Sequence, residues 1–114
     1  AAKIGEPYIA AYTASKHGVL GMVRSAATEV ATKGVTVNAV CPGYVDTPMT
    51  AHTIDQIVAK TGRTSEEARA TLAAKQPNGR LVTVDEVAEA VIACVRNGAI
   101  NGQGINIDGG GTTA

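Results

Sequence analysis

The 114-residue sequence contains no Trp, no Phe and only three Tyr. Single-stranded nucleic acid is bound by stacking bases on aromatic rings, and so few rings leave no such platform. Charge of one sign is missing too. Ten basic and ten acidic residues cancel, which removes the basic stripe that nucleic acid demands and the acidic tail that suits a cationic partner. No apolar run reaches the roughly 20 residues of a membrane-spanning helix. The opening AAKIGEPY lacks the hydrophobic region of a secretory signal. Neither nucleic acid nor membrane is expected as a partner, and a cytoplasmic setting is expected. The opening also lacks an initiator Met, which hints that the chain starts inside a longer protein. Cysteine is scarce: Cys41 and Cys94 form no CxxC pair, so no metal site is expected. Each lies in an apolar run, and both are expected to be buried and reduced.

What is present is 45% hydrophobic residues, enough for one modest core. From about Ile9 to Lys33 the apolar residues Val19, Met22, Val23, Ala26, Ala27, Val30 and Ala31 recur at helical spacing, and Gly34 stands where a left-handed cap belongs. Gly18, Gly21 and Ser25 make a second, low strip on this helix. Val35 to Val40 is rich in β-branched residues and predicts a short strand, broken by Pro42-Gly43.

The stretch from Thr50 to Gln76 is weaker in pattern. Ile54, Ile57 and Val58 suggest a short helix; after Gly62, Thr64 with Glu67 resembles a capping box opening another through Ala74. Small and polar residues dominate it, so a lid is expected over about residues 48–76 rather than a core element. Thr83 and Glu86 open a further helix with Val87, Ala90, Val91, Cys94 and Val95 on its apolar face, and Gly104 to Ile107 predicts a strand. Strands separated by helical crossovers imply a parallel sheet and an α/β class, in the order helix, strand, lid, helix, strand. Two parallel strands do not make a stable doubly wound sheet alone, so more sheet is expected beside them.

The sharpest chemical signal is YTASK, Tyr12 to Lys16. Residues four apart on a helix leave it on one face. A phenol is a poor acid at neutral pH, and a neighbouring ammonium favours its ionised form. The pair is therefore a plausible proton-transfer device for a carbonyl/alcohol couple. The same spacing also occurs on plain solvated faces. Likewise Pro42-Gly43 can simply end a strand, Thr47 can cap a helix, and Asn38 can satisfy backbone groups at a strand crossing. His17 lies about 140° around the helix from Tyr12 and points away; with His52 it is read as a surface residue. The glycines at 98, 102, 104 and 109–111 lack the strand–turn–helix order of a phosphate fingerprint and are read as turns.

Four segments taken together resemble the short-chain dehydrogenase/reductase family: Tyr12 and Lys16; Asn38, Val40, Pro42, Gly43, Val45 and Thr47; GRLVTVDEVA from Gly79; and NGQGINIDGG from Asn101. The resemblance implies the C-terminal part of a Rossmann-like, doubly wound parallel sheet. It implies an NAD- or NADP-dependent oxidoreductase that interconverts a small-molecule ketone and a secondary alcohol. Tyr12 and Lys16 would be catalytic, Tyr12 as general acid, with Lys16 on the nicotinamide ribose. Pro42, Gly43, Val45 and Thr47 would line the nicotinamide end of the cofactor. Within the family the sequence looks most like bacterial 3-oxoacyl-thioester reductases, 3-hydroxybutyrate dehydrogenases and polyketide ketoreductases. Pairing of the long helix through its small-residue strip implies a homodimer or homotetramer.

The pyrophosphate-binding Gly-rich turn, the residue that chooses between NAD and NADP, and the family's catalytic Ser have no counterpart in these 114 residues. The leading reading is accordingly residues 1–114 as the C-terminal half of one oxidoreductase domain. The alternative is a non-catalytic truncated or split fragment that acts only by association with a partner chain.

Overall fold

The computed structural model describes residues 2–113. The elements follow in the order α1 (Ala10–Val30), a 3₁₀ turn (Ala31–Lys33), β1 (Ala39–Pro42), α2 (Pro48–Thr61), α3 (Ser65–Ala74), α4 (Val84–Arg96) and β2 (Gly104–Ile107). No helix among the described residues is long and apolar enough to cross a membrane. β1 and β2 are hydrogen-bonded neighbours. The Ala39 N–H donates to Gln103 O at 2.8 Å and the Gly43 N–H to Ile107 O at 3.0 Å. Both bonds span the same sequence offset, as parallel strands require. The α/β order expected from the sequence is the order observed.

The chain divides into two compact units: residues 2–41 with 89–106, and residues 42–88 with 107–113. The first unit is built on α1. Gly34, at φ 73°, stops the helix after its 3₁₀ turn, because a left-handed residue there costs glycine nothing. Leu20, Val23 and Ala27 are the buried positions of the helix, whereas Val19 and Met22 of the expected stripe are 47% and 64% exposed. Two glycines at and just before the last strand decide this rotation. A Cβ at Gly104 would stand 2.9 Å from Leu20 Cδ1, and one at Gly102 would touch Ala27 Cβ at 3.4 Å, so the helix rests where those side chains are absent.

The strand expected at Val35 to Val40 is observed only from Ala39. Side chains hold the residues before it. The Val37 N–H donates to Asn101 Oδ1 at 2.9 Å, and Asn38 donates through Nδ2 to Ile100 O at 2.8 Å while its Oδ1 accepts the Gln103 N–H at 3.0 Å. Asn38 thus serves backbone groups at the strand crossing. Cys41 and Cys94 are free, as expected, but only half-buried. A two-stranded sheet covers little, and α4 has no buried residue in this structure.

In the second unit α2 and α3 pack on each other. Gly62, at φ 70°, closes α2 with its N–H on Val58 O, and Thr64 caps α3 by accepting the Glu67 N–H at 3.2 Å. Glycine and cap stand where the sequence put them. This stretch nevertheless carries a core: Ile54, Ala68, Leu72 and Leu81 are buried together, with Tyr44, Ile57, Val58 and Ala73 against them. The prevalence of small residues had suggested otherwise, but Ala68 is fully buried because it is small enough for the two helices to meet.

Candidate functional site

Tyr12 and Lys16 lie in the first turns of α1, in the first unit. One turn of helix brings the Lys16 ammonium to 5.3 Å from the Tyr12 ring centroid. Tyr12 is 54% exposed. Among the described residues its hydroxyl has no hydrogen-bond partner. Ser15 donates to the Tyr12 carbonyl at 2.7 Å and His17 pairs with the Thr13 carbonyl at 2.9 Å. The imidazole is thereby turned onto the backbone of its own helix.

Pro42, Gly43, Val45 and Thr47 lie in the second unit, at the end of β1 and in the loop leading to α2. The loop is fixed along its length. Gly43 bonds to Ile107 as above. The Tyr44 carbonyl accepts the Val82 N–H at 2.9 Å and the Asp46 N–H donates to Val82 O at 2.8 Å, an isolated parallel bridge centred on Val45 and Val82. Because strand residues alternate, that bridge uses the groups either side of Val45 and leaves the Val45 N–H directed to the other edge. The Val45 carbonyl accepts the Thr50 hydroxyl.

Thr47 is the N-cap of α2: its Oγ1 accepts the Thr50 N–H at 3.4 Å, and Pro48 follows as the first helical residue. The structural role open to Thr47 in the sequence is therefore real. The bond is long, and the hydroxyl's remaining contacts, Val45 O at 3.4 Å and Thr50 Oγ1 at 3.5 Å, are at the limit of hydrogen bonding. A hydroxyl held so loosely can donate elsewhere.

Two forked ion pairs brace this unit, neither of them apparent in the sequence. Arg69 grips Asp46 at 2.9 Å and Arg80 grips Glu86 at 2.6 Å. The Arg80 guanidinium, with the Thr83 N–H bonded to Glu86 Oε2 at 2.9 Å, holds the Glu86 carboxyl down at about 2. Hydrogen bonding to the Arg69 guanidinium likewise lowers the Asp46 carboxyl. Glu86 completes a reciprocal capping box, since its own N–H donates to Thr83 Oγ1 at 3.1 Å. The box was legible; its arginine was not.

Gln76 was also missed. It is 3% exposed and bridges Tyr44 N–H to the Arg80 carbonyl. No local spacing announces an amide whose partner is 32 residues away. Among the described residues no group of three or more His, Cys, Asp or Glu is placed to hold a metal ion.

The loop offers what a nicotinamide carboxamide requires, a backbone donor at Val45 and a loosely held hydroxyl at Thr47. Tyr12 and Lys16 offer an accessible phenol beside an ammonium. Each set, taken in its own unit, has groups of a chemistry that a nicotinamide nucleotide can use.

The comparisons with known proteins agree with one another. A family model described as enoyl-(acyl carrier protein) reductase matches residues 1–112. A putative ketoacyl reductase of Streptomyces coelicolor is 42% identical over 110 residues, 95% of this chain and 42% of that protein. A D-beta-hydroxybutyrate dehydrogenase of Rhizobium meliloti is 38% identical, over 96% of this chain and 43% of its own length. Among solved structures, a short chain dehydrogenase family protein from Francisella tularensis superposes with TM-score 0.90 at 34% identity, covering 95% of this chain and 46% of that one. An actinorhodin polyketide ketoreductase variant with NADPH superposes with TM-score 0.89 at 40% identity, covering 98% and 44%. The chain thus spans less than half the length of these relatives.

Proposed function

Because this chain belongs to the short-chain dehydrogenase/reductase family, with a Rossmann-like α/β fold, we propose that it serves an NAD- or NADP-dependent oxidoreductase interconverting a ketone and a secondary alcohol. The observation that carries the reading is the Tyr12–Lys16 pair on α1, an exposed phenol with an ammonium over its ring.

In the reducing direction Tyr12 Oη gives its proton to the carbonyl oxygen of the substrate, and in the oxidising direction it takes the proton from the alcohol. The Lys16 ammonium, 5.3 Å from the Tyr12 ring centroid, would hold the nicotinamide ribose. Pro42 and Gly43 shape the loop, and the Val45 N–H and Thr47 hydroxyl would hold the carboxamide. When bound, the nicotinamide supplies the hydride that goes to the carbonyl carbon. The α2–α3 stretch, about residues 48–76, covers the substrate and excludes water.

A 3-oxoacyl/3-hydroxyacyl compound is the substrate class proposed, in line with relatives named ketoacyl reductase and D-beta-hydroxybutyrate dehydrogenase. The exposed strip of Gly18, Gly21 and Ser25 on α1 is the face proposed for pairing with a second copy. Beyond the helix's own neighbouring backbone, no atom of the described residues stands within 4 Å of a Cβ placed at either glycine.

The function is tested by following NADPH and NADH absorbance in the intact enzyme with an acetoacetyl thioester and simple ketones. Oxidation of one nucleotide that depends on a ketone is expected. A folded enzyme that binds neither nucleotide would favour the alternative of a fragment that acts only by association.

A further inference from the structure

We propose that Gln76 is a positioning residue for the nicotinamide-holding loop, tying the end of α3 to the Gly43–Tyr44 peptide. The proposal rests on the function assigned above to residues 42–47.

The geometry is specific. Gln76 is 3% exposed, and an amide is buried at low cost only if both its halves are paired. Its Oε1 accepts the Tyr44 N–H at 2.7 Å, and its Nε2 donates to the Arg80 carbonyl. The two partners fix the amide's orientation, because one offers a proton and the other needs one. Gly43 is shaped around it. A Cβ at Gly43 would collide with Gln76 Oε1 and stand 3.0 Å from Asp108 Cβ and 3.2 Å from Asp108 Cα. Glycine is required here for space, not for a left-handed backbone.

Gln76 therefore reaches the loop where, among the described residues, it serves the Tyr44 N–H, next to the residue whose own N–H faces the cofactor under the proposed function. It lies two residues past the end of α3, with its N–H on Ala73 O. A change in how α3 sits is passed to the loop by Gln76, alongside the Arg69–Asp46 pair. The charged groups around it are Arg80, whose guanidinium is held by Glu86, Asp108 beside Gly43, and Lys75, whose ammonium lies 5.5 Å from the Tyr44 ring centroid.

Gln76→Leu keeps the volume and removes both bonds, leaving a buried donor and acceptor unpaired. In the intact enzyme the KM for NADPH or NADH is expected to rise about tenfold or more, with kcat changed much less. A merely structural residue would lower the folded fraction, and hence apparent kcat, without moving KM.

Gln76→Glu gives a second readout. Near about pH 8 a carboxylate oxygen would face the Arg80 carbonyl oxygen, and nucleotide KM should match that of Gln76→Leu. Burial raises a carboxyl's pKa, so near about pH 5.5 the acid O–H should donate to Arg80 O and restore KM. This comparison is made within one folded variant and survives a failure of Gln76→Leu to fold. Nucleotide KM unmoved in Gln76→Glu at both pH values would overturn the proposal.

Hydrogen exchange of the Tyr44 amide, without nucleotide, separates the tie from the function. It is expected to be slow in wild type and faster in Gln76→Glu near about pH 8. Equal exchange would overturn the tie itself. A wild type that turns over no ketone would overturn the proposed function and the positioning role with it, while a slow Tyr44 amide would show the tie standing alone.

Discussion

Lys16 Nζ lies 5.3 Å from the centroid of the Tyr12 ring, one turn further along α1. At an exposed site such a contact stabilises by only about 0.5–1 kcal/mol. That is too little for the fold to depend on it, so the pair can be altered with α1 intact and its chemistry read separately.

Lys16→Met should therefore leave the helical circular dichroism and thermal midpoint nearly unchanged while reducing kcat/KM for the nucleotide about tenfold or more. An activity close to wild type, with the fold intact, would mean that the lysine neither holds the ribose nor assists the tyrosine.

Thr47 is expected to have two separable duties. Thr47→Ala removes both the α2 cap and the hydroxyl, costing about 1 kcal/mol of stability and weakening nucleotide binding. Thr47→Asn keeps a strong capping residue but no hydroxyl, so stability should return while the nucleotide KM stays high. Calorimetry beside steady-state kinetics distinguishes the two. Recovery of both properties in Thr47→Asn would reduce Thr47 to a cap.

The fork of Arg80 on Glu86 gives a pH dependence with a fixed sign. The Glu86 carboxyl is held at about 2 in the folded protein, below its ordinary 4.5. A lowered carboxyl contributes stability that is fully present above the ordinary value and is lost as pH falls through the folded one. The stability difference between wild type and Glu86→Gln should thus be constant above about pH 5.5, shrink between 4.5 and about 2, and vanish below. Denaturant melts across that range would show it. A difference that persists in acid would mean that Glu86 acts through shape rather than charge.

Features whose cause is local were legible in the sequence. Gly34 and Gly62 end helices because left-handed backbone suits glycine, and Thr64 and Thr83 open them because a hydroxyl can reach an N–H three residues on. Tyr12 and Lys16 meet for the same reason. Features made by distant partners were not. Asn101 reaches Val37 and Ala27, 64 and 74 residues away, and its bond to Val37 takes the place of a strand ladder expected there. Gln76 sits in a run of polar residues with nothing to mark it as buried. Leu20 lies outside the apolar stripe that spacing predicts, because helical periodicity alone gives no preference for the side on which Gly104 lies. The function of Pro42, Gly43, Val45 and Thr47 was suggested by resemblance, whereas the space that requires glycine at 43 emerges only when Gln76 and Asp108 are in place.

The central claim is that the Tyr12 hydroxyl carries the proton, and Tyr12→Phe tests it most directly. The change removes one oxygen from a side chain that is 54% exposed, so the fold and nucleotide binding should survive. In single-turnover reduction of a ketone by the intact enzyme, the rate is expected to fall about 100-fold or more, the usual cost of losing a general acid. Retention of more than about a tenth of the wild-type rate would contradict the assignment and send the search for the proton donor elsewhere.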